Sequence, residues 1–454
     1  MNRRRSSVAR RAERGFTLVE LMVAMTAGLM ISAAAMVLAR NASRAFQQEA
    51  RITSAQISAG LGMSRLAGDI QRAAFMSSPH VKRDPFVCGD YANWTAGMNS
   101  LAGVQITANG SSTDPASGNL TQSTGAPNNL SPDSIIIGGA FSTTEQFAVR
   151  NIARESGGTY SVRLQLDSGP TARALSAEIQ GGEPICATAT APNVGIFRVG
   201  RFLRIVDSSG RHEYGLISAC TVTRAGLDVN EVLITLAAMP AVPEKTPSNT
   251  CGWSGLATGL LVNPVSRVKY ALRNLRGHAR FGTLVAPPAG AVERSLSGDG
   301  DPTSASQPGR TELVRVELAA DGTEIESSTE TNANLATLEV VAEYAVDLKF
   351  GVISTAVNGI NPTVTRRDIG DAAGYGEVAN ITNITARPNR VRAISVRFST
   401  RARVPDRNQQ IPAGPVGALG RFALTSVPGE LNWARMRTLQ AEVALPNQAG
   451  VTWD

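Results

Sequence analysis

Glu20 is the one ionisable side chain between Phe16 and Ala39, a stretch otherwise built from apolar and small residues. Its setting is Gly15-Phe16-Thr17-Leu18-Val19-Glu20-Leu21-Met22-Val23-Ala24-Met25. A carboxylate is costly to hold in hydrocarbon, so an acid inside an apolar segment marks a functional group that needs a partner. A cation on a neighbouring helix, staggered along the axis, would supply one, and the low dielectric would strengthen that pair well beyond its value in water. The plainer alternative is a carboxylate near the membrane interface that reaches back to headgroup water.

Other residues could carry chemistry, and most are discounted by their spacing. Cys88, Cys186, Cys220 and Cys251 all follow the apolar run. An even number of cysteines in an oxidising compartment favours two disulfides, with three pairings open. Proximity favours Cys220 with Cys251, which bracket one strand and its following loop, and Cys88 with Cys186. No CxxC occurs and His80, His212 and His278 are scattered, so no metal site is expected. Gly252-Trp253-Ser254-Gly255 lacks the second glycine of a nucleophile elbow. Asp299-Gly300-Asp301-Pro302 lacks the later oxygen ligands of a calcium loop. The expectation is a non-enzyme without a cofactor. Arg390, Arg392, Arg397, Arg401, Arg403 and Arg407 form the densest basic region beyond residue 15. With only Phe398 near for stacking, they read as a solvated sheet face or subunit contact rather than a nucleic-acid stripe.

These residues need elements to position them. About two dozen apolar residues in a helix, at about 1.5 Å each, cross a hydrocarbon core of about 30 Å. Six arginines and Glu13 give the leader a charge of +5 out of the chain's +7. Arginines at one end of a membrane helix hold that end in the cytoplasm and send the rest outward. The run is longer than a secretory signal core, although Ser32–Ala35 offers small residues for an ordinary signal peptidase. Helix-compatible sequence continues to about Ser77, with Met63, Leu66, Ile70 and Ala73 on one face and a bend expected at Gly60 and Gly62.

Pro79 begins a region of short β-rich runs. Strands are expected at Ser134–Phe141, Phe147–Ile152, Tyr160–Leu166, Ile196–Asp207, His212–Val222, Val232–Leu236, Val265–Arg273, Glu312–Leu318, Leu338–Val352 and Arg390–Ser399, with a hairpin turn at Asp207–Arg211. Ala108–Pro132, Ala286–Arg310 and Val357–Arg387 read as surface loops. The organisation is a leader (1–15), a membrane helix (16–39), its amphipathic continuation (40–78), and two β-rich regions (79–260 and 261–454). The class is α+β: a long N-terminal helix packed on a large antiparallel β-rich domain with long loops.

The stretch from Gly15 to Met25 behind a basic leader resembles the class III signal of type IV prepilins and type II secretion pseudopilins. The resemblance implies cleavage after Gly15 by a prepilin peptidase, N-methylation of Phe16, and Glu20 as the subunit-assembly acid that meets the new amine at Phe16 of a neighbour. More weakly, Arg267–Leu272, Glu312–Arg315, Val346–Phe350, Arg390–Ile394 and Leu439–Asn447 follow the order seen in PilW-type minor pilins and look similar to J-type minor pseudopilins. The implied protein is inserted in the inner membrane with its C-terminal domain periplasmic, then moves to the pilus at the cell surface. Its partners would be other minor pilins, the major pilin, a tip adhesin and the inner-membrane assembly platform. It would help to initiate pilus assembly, at the tip. A type II secretion pseudopilin and a membrane-anchored adhesin or DNA-uptake subunit are the alternatives. Residues 80–250 resemble nothing further.

Overall fold

The computed structural model describes residues 17–88, 94–110, 130–187, 194–226, 228–238, 259–275, 278, 280–281, 311–325, 337–358, 361–376, 378, 386–402, 420–427, 430–451 and 453. The protein is α+β, as its sequence implies. Its apolar N-terminal helix leads into a large antiparallel β-rich domain.

Helix α1 runs from Leu18 to Gln71. Residues up to Thr53 form one compact unit and Ser54–Asp454 another. From Leu18 to Ser43 the helix is long and apolar enough to cross a membrane, and none of that span is buried. Beyond Ser54 one face is buried through Ala55, Ala59, Met63, Leu66 and Ile70, a spacing of three and four that matches the helical repeat. Ile57 lies off that face and is 57% exposed. The helix continues through Gly60 and Gly62 without interruption. Gly62 serves close approach instead: a Cβ there would lie 2.8 Å from Ala342 Cβ and 2.9 Å from Phe398 Cε1. Past Gln71 the backbone leaves the helix earlier than expected, with left-handed Ala74 (φ 58°) and Met76 (φ 48°).

Two antiparallel sheets share the main core with this helix. The first contains β1 (Val104–Thr107), β2 (Ser134–Gly139), β3 (Phe147–Arg154), β4 (Tyr160–Leu164), β5 (Phe202–Val206), β6 (His212–Ala225), β7 (Asp228–Leu236), β8 (Leu261–Arg273), β9 (Glu312–Leu318) and β10 (Glu339–Ala342). The second is ordered β12-β11-β13-β15-β14, from β11 (Ala345–Asn358), β12 (Asn361–Arg366), β13 (Val391–Arg401), β14 (Arg421–Val427) and β15 (Glu430–Ala444). Strand β12 falls within a stretch whose polar composition suggests only loop. Its pairing with β11, from Ile353 opposite Arg366 to Asn358 opposite Asn361, supplies the backbone hydrogen bonds that composition alone does not reveal.

The first sheet divides along β8. The C-terminal part of β8 lies between β2 and β9, with Tyr270 opposite both Ile135 and Arg315. Its N-terminal part lies between β3 and β5, with Val262 opposite both Phe147 and Ile205. The pairings β3–β4, β4–β7, β7–β6 and β6–β5 complete a circuit. Residues 147–262 therefore close a six-stranded antiparallel barrel. Closing a sheet removes its edges and gives a separate interior to fill. Phe147, Tyr160, Val162, Leu203, Ile205, Val232, Ile234 and Val262 belong to that interior cluster, and helix α3 (Gly169–Ile179), the next after the single turn α2 (Ala96–Asn99), adds Ala174 and Leu175. Between β5 and β6, Asp207 Oδ1 accepts from the amides of Ser209 and Arg211 at 2.9 Å, and Gly210 supplies φ +85°. This is the expected Asp207–Arg211 hairpin.

Candidate functional site

Helix α1 begins on a reciprocal cap that the Thr17-x-x-Glu20 spacing could have revealed. Glu20 donates its amide to Thr17 Oγ1 at 3.3 Å, while Glu20 Oε2 accepts from the Thr17 amide at 3.2 Å and hydroxyl at 3.1 Å. A threonine at the cap and glutamate three residues on satisfy amides that a helix start leaves without intrahelical partners. Both of these acceptor contacts fall on Oε2, so the carboxylate is fixed against the first turn. From Leu18 to Ser43 the side chains are exposed, including Leu18 at 75%, Met30 at 74% and Met36 at 77%. Within this unit the site is a capped helix start carrying one acid, followed by an apolar surface that lacks a partner among the described residues. Gly15 and Phe16 lie outside the described residues.

In the second unit a polar network fixes the last turns of α1 to the sheet. Asp69, 3% exposed, accepts from Tyr270 Oη and Arg315 Nε, each at 2.7 Å. Burial raises the Tyr270 hydroxyl far above its usual range, and the Asp69 charge adds to that shift. Where the helix ends, Ser78 Oγ donates to Asp84 Oδ2 at 2.8 Å, and His212 Nε2 lies 3.6 Å from the same oxygen. Burial lowers His212 to about 4, helped by Arg204 and opposed by Asp84. Burial likewise lowers His80, 2% exposed, to about 4.

Two buried carboxyls show how neighbours decide ionisation. Glu317 suffers full burial, yet Arg201 and Arg198 outweigh it and hold its pKa below the usual value; their guanidinium nitrogens lie 2.9 and 2.7 Å from Oε1. Glu213, 0% exposed, has neither carboxyl oxygen hydrogen-bonded. Burial alone pushes it well above the carboxylate range. It lies opposite Ile205 on β6, so its side chain shares the barrel-interior face with Ile205 and Val262.

The structure corrects the expected disulfide pairing. Cys186 is bonded to Cys220, with Cα atoms 5.3 Å apart, so neither Cys220–Cys251 nor Cys88–Cys186 forms. Strand β6 carries Cys220 to the wall of the barrel, where the segment following α3 returns beside it; this tertiary return outweighs sequence proximity. Cys88 is also disulfide-bonded. Cys251 lies outside the described residues, as do Gly252–Gly255 and Asp299–Pro302.

The arginine-rich region does not form one solvated stripe. Arg397 Nε donates to Asp347 Oδ2 at 2.8 Å, and Arg392 donates to the Asn389 and Val451 carbonyls, each at 2.7 Å. Arg401 is 1% exposed, with its guanidinium 5.0 Å from the Tyr344 ring centroid and 5.5 Å from that of Phe422. Stacking on aromatic faces lets the flat guanidinium be buried where strict strand alternation would place it outside. Arg403 and Arg407 lie outside the described residues. Among the described residues no group of three or more His, Cys, Asp or Glu side chains could hold a metal ion.

Residues 10–36 match the prokaryotic N-terminal methylation motif. The match spans Gly15, Phe16 and Glu20 and supports a type IV pilin- or pseudopilin-like protein processed by prepilin peptidase. The apolar helix after it is consistent with membrane anchoring. No curated protein and no solved structure is similar enough to match the chain.

Proposed function

We propose that this chain is a minor pilin, without catalytic activity, that helps to initiate a type IV pilus and occupies its tip. The observation that carries the reading is the methylation motif at residues 10–36, overlapping an apolar helical span, Leu18–Ser43, of which none is buried. Prepilin peptidase cuts after Gly15, and Phe16 becomes the methylated N-terminus. The helix first lies in the inner membrane, with the β-rich domain periplasmic, and then joins the filament beside other minor pilins and the major pilin. Glu20 has two tasks: Oε2 caps its own helix, and the negative charge attracts the amine at Phe16 of a neighbouring subunit. A tip adhesin and the inner-membrane assembly platform complete the set of partners.

Mass spectrometry of the mature chain tests the processing step. The expected product begins at methylated Phe16, whereas an unprocessed chain or a cut near Ala35 refutes the assignment. Deletion of the protein then distinguishes the machines. Loss of surface pili and twitching supports the minor pilin, while intact pili with lost exoprotein secretion identifies a type II pseudopilin.

A further inference from the structure

The second sheet carries a cleft of about 340 Å³, lined by the polar side chains of Arg366, Arg367, Asp368, Ser395, Gln440 and Glu442 together with apolar Ile369 and Ala441. Its floor follows strand register: Gly351 of β11 is opposite Ser395 of β13, which is opposite Glu442 of β15. One wall is the turn after β12, held to β11 by Arg367 N–H to Val352 O and Gly370 N–H to Phe350 O, both 2.8 Å. Gly351 makes this approach possible, since a Cβ there would lie 2.8 Å from the Arg367 carbonyl oxygen. The wall is thus preformed by backbone.

Arg366 reaches from β12 to Glu442 at 3.0 Å, with the two side chains 65% and 49% exposed. Such an exposed pair contributes little to stability and is easily exchanged for another partner. Arg367 has no ion pair among the described residues. Two guanidiniums suit one carboxylate, because the planar fork of arginine matches it through paired hydrogen bonds. Ser395, Gln440, Asp368 and Glu442 add acceptors and donors in the same space, which suits hydroxyls, since each hydroxyl both gives and accepts a hydrogen bond.

We propose that this cleft binds an acidic saccharide, with Arg367 and Arg366 receiving the carboxylate and the surrounding polar side chains receiving ring hydroxyls. Arg366 exchanges Glu442 for the ligand carboxylate. The site lies on the second sheet, outside the barrel, and depends on neither the N-terminal motif nor filament assembly.

The test is calorimetric titration of the full-length chain in detergent with D-glucuronate, and in parallel with glucose, acetate and inorganic phosphate. Glucuronate is expected to saturate with a Kd of about 1 mM, weak because the ligand is small and the site open. Arg367→Ala is expected to weaken it about tenfold, the scale for a hydrogen bond to a charged group. Glu442→Gln is expected to tighten it about twofold by freeing Arg366 from a weak pair. Arg150→Ala, on the barrel, is the control with unchanged binding, and an unchanged melting temperature shows that the exposed Arg367 variant remains folded. The proposal is overturned if glucuronate fails to saturate by about 20 mM, if acetate or phosphate binds as well as glucuronate, or if Arg367→Ala binds as the parent does.

Discussion

Replacing Glu213 with methionine should stabilise the protein, increasingly so as pH rises. In the folded barrel the carboxyl is fully buried without a hydrogen-bond partner, and burial pushes its pKa well above the ordinary 4.5. Below 4.5 the carboxyl holds its proton whether folded or unfolded, so folding is insensitive to pH there. Above it the unfolded chain releases a proton that the folded chain retains, and stability is lost at about 1.4 kcal/mol per pH unit until the folded pKa is reached. The loss accumulates at this rate across the whole window between the unfolded and the folded pKa. Methionine has comparable reach without a group to ionise, and flexible thioethers fill irregular apolar space. Unfolding of the full-length chain in detergent should therefore show the advantage of Glu213→Met growing with pH above about 4.5, by about 1.4 kcal/mol or roughly 1.5 °C per pH unit until the folded pKa is reached. Taking the difference between variant and parent removes the contributions of other titrating groups. An advantage that stays constant across this range refutes the reasoning, since it would mean that the folded carboxyl ionises as readily as the unfolded one.

Glu20→Gln keeps a side chain able to complete the helix cap but removes its charge. It should be cleaved normally yet enter filaments poorly, as read by the ratio of mature to filament-bound protein; incorporation equal to the parent would assign Glu20 to capping alone. Asp69→Ala leaves Arg315 and Tyr270 without their shared acceptor and should cost about 3 to 5 kcal/mol, whereas Tyr270→Phe should cost about 1 to 2 kcal/mol. Equal losses for both, measured by denaturant unfolding, would discount the ion pair. His80 and His212 are neutral when folded down to about 4, but the unfolded chain gains their protons below 6.5. Stability should thus fall on acidification from pH 6.5 to pH 5 by about 2 kcal/mol for each. His80→Phe should reduce that acid slope, and an unchanged slope would show that His80 protonates without unfolding.

The local parts of the fold are the legible ones. The Phe16–Ala39 hydrophobic run and the Asp207–Arg211 turn are set by neighbours in sequence; from Leu18 onward the run forms the first part of α1, and the turn is found where its pattern places it. The Thr17-x-x-Glu20 cap is equally local, since its spacing alone brings Glu20 back to the Thr17 amide. Barrel closure was not readable, because Phe147 and Val262 meet only after the intervening chain has folded. The same holds for Cys186 and Cys220, whose pairing depends on how the segment after α3 returns to β6. Strand alternation alone sends charged residues towards water, so it does not reveal Arg401, covered by aromatic rings, or Glu213, enclosed by the barrel. The cleft likewise assembles residues from β12, β13 and β15, although its Arg366–Arg367–Asp368 wall is contiguous in sequence.

Strand β8 gives the β-rich unit a continuous load path. One end closes the barrel through Val262, and the other carries Tyr270, whose hydroxyl holds Asp69 on α1. Tension applied to the barrel along this strand would enter the sheet as shear, distributed over the hydrogen bonds to β2 and β9 together. Peeling bonds one at a time would require a pull from another direction. The barrel is thus coupled to the end of the helix by one strand and the Tyr270–Asp69 hydrogen bond it carries, so a tug on one would be felt by the other.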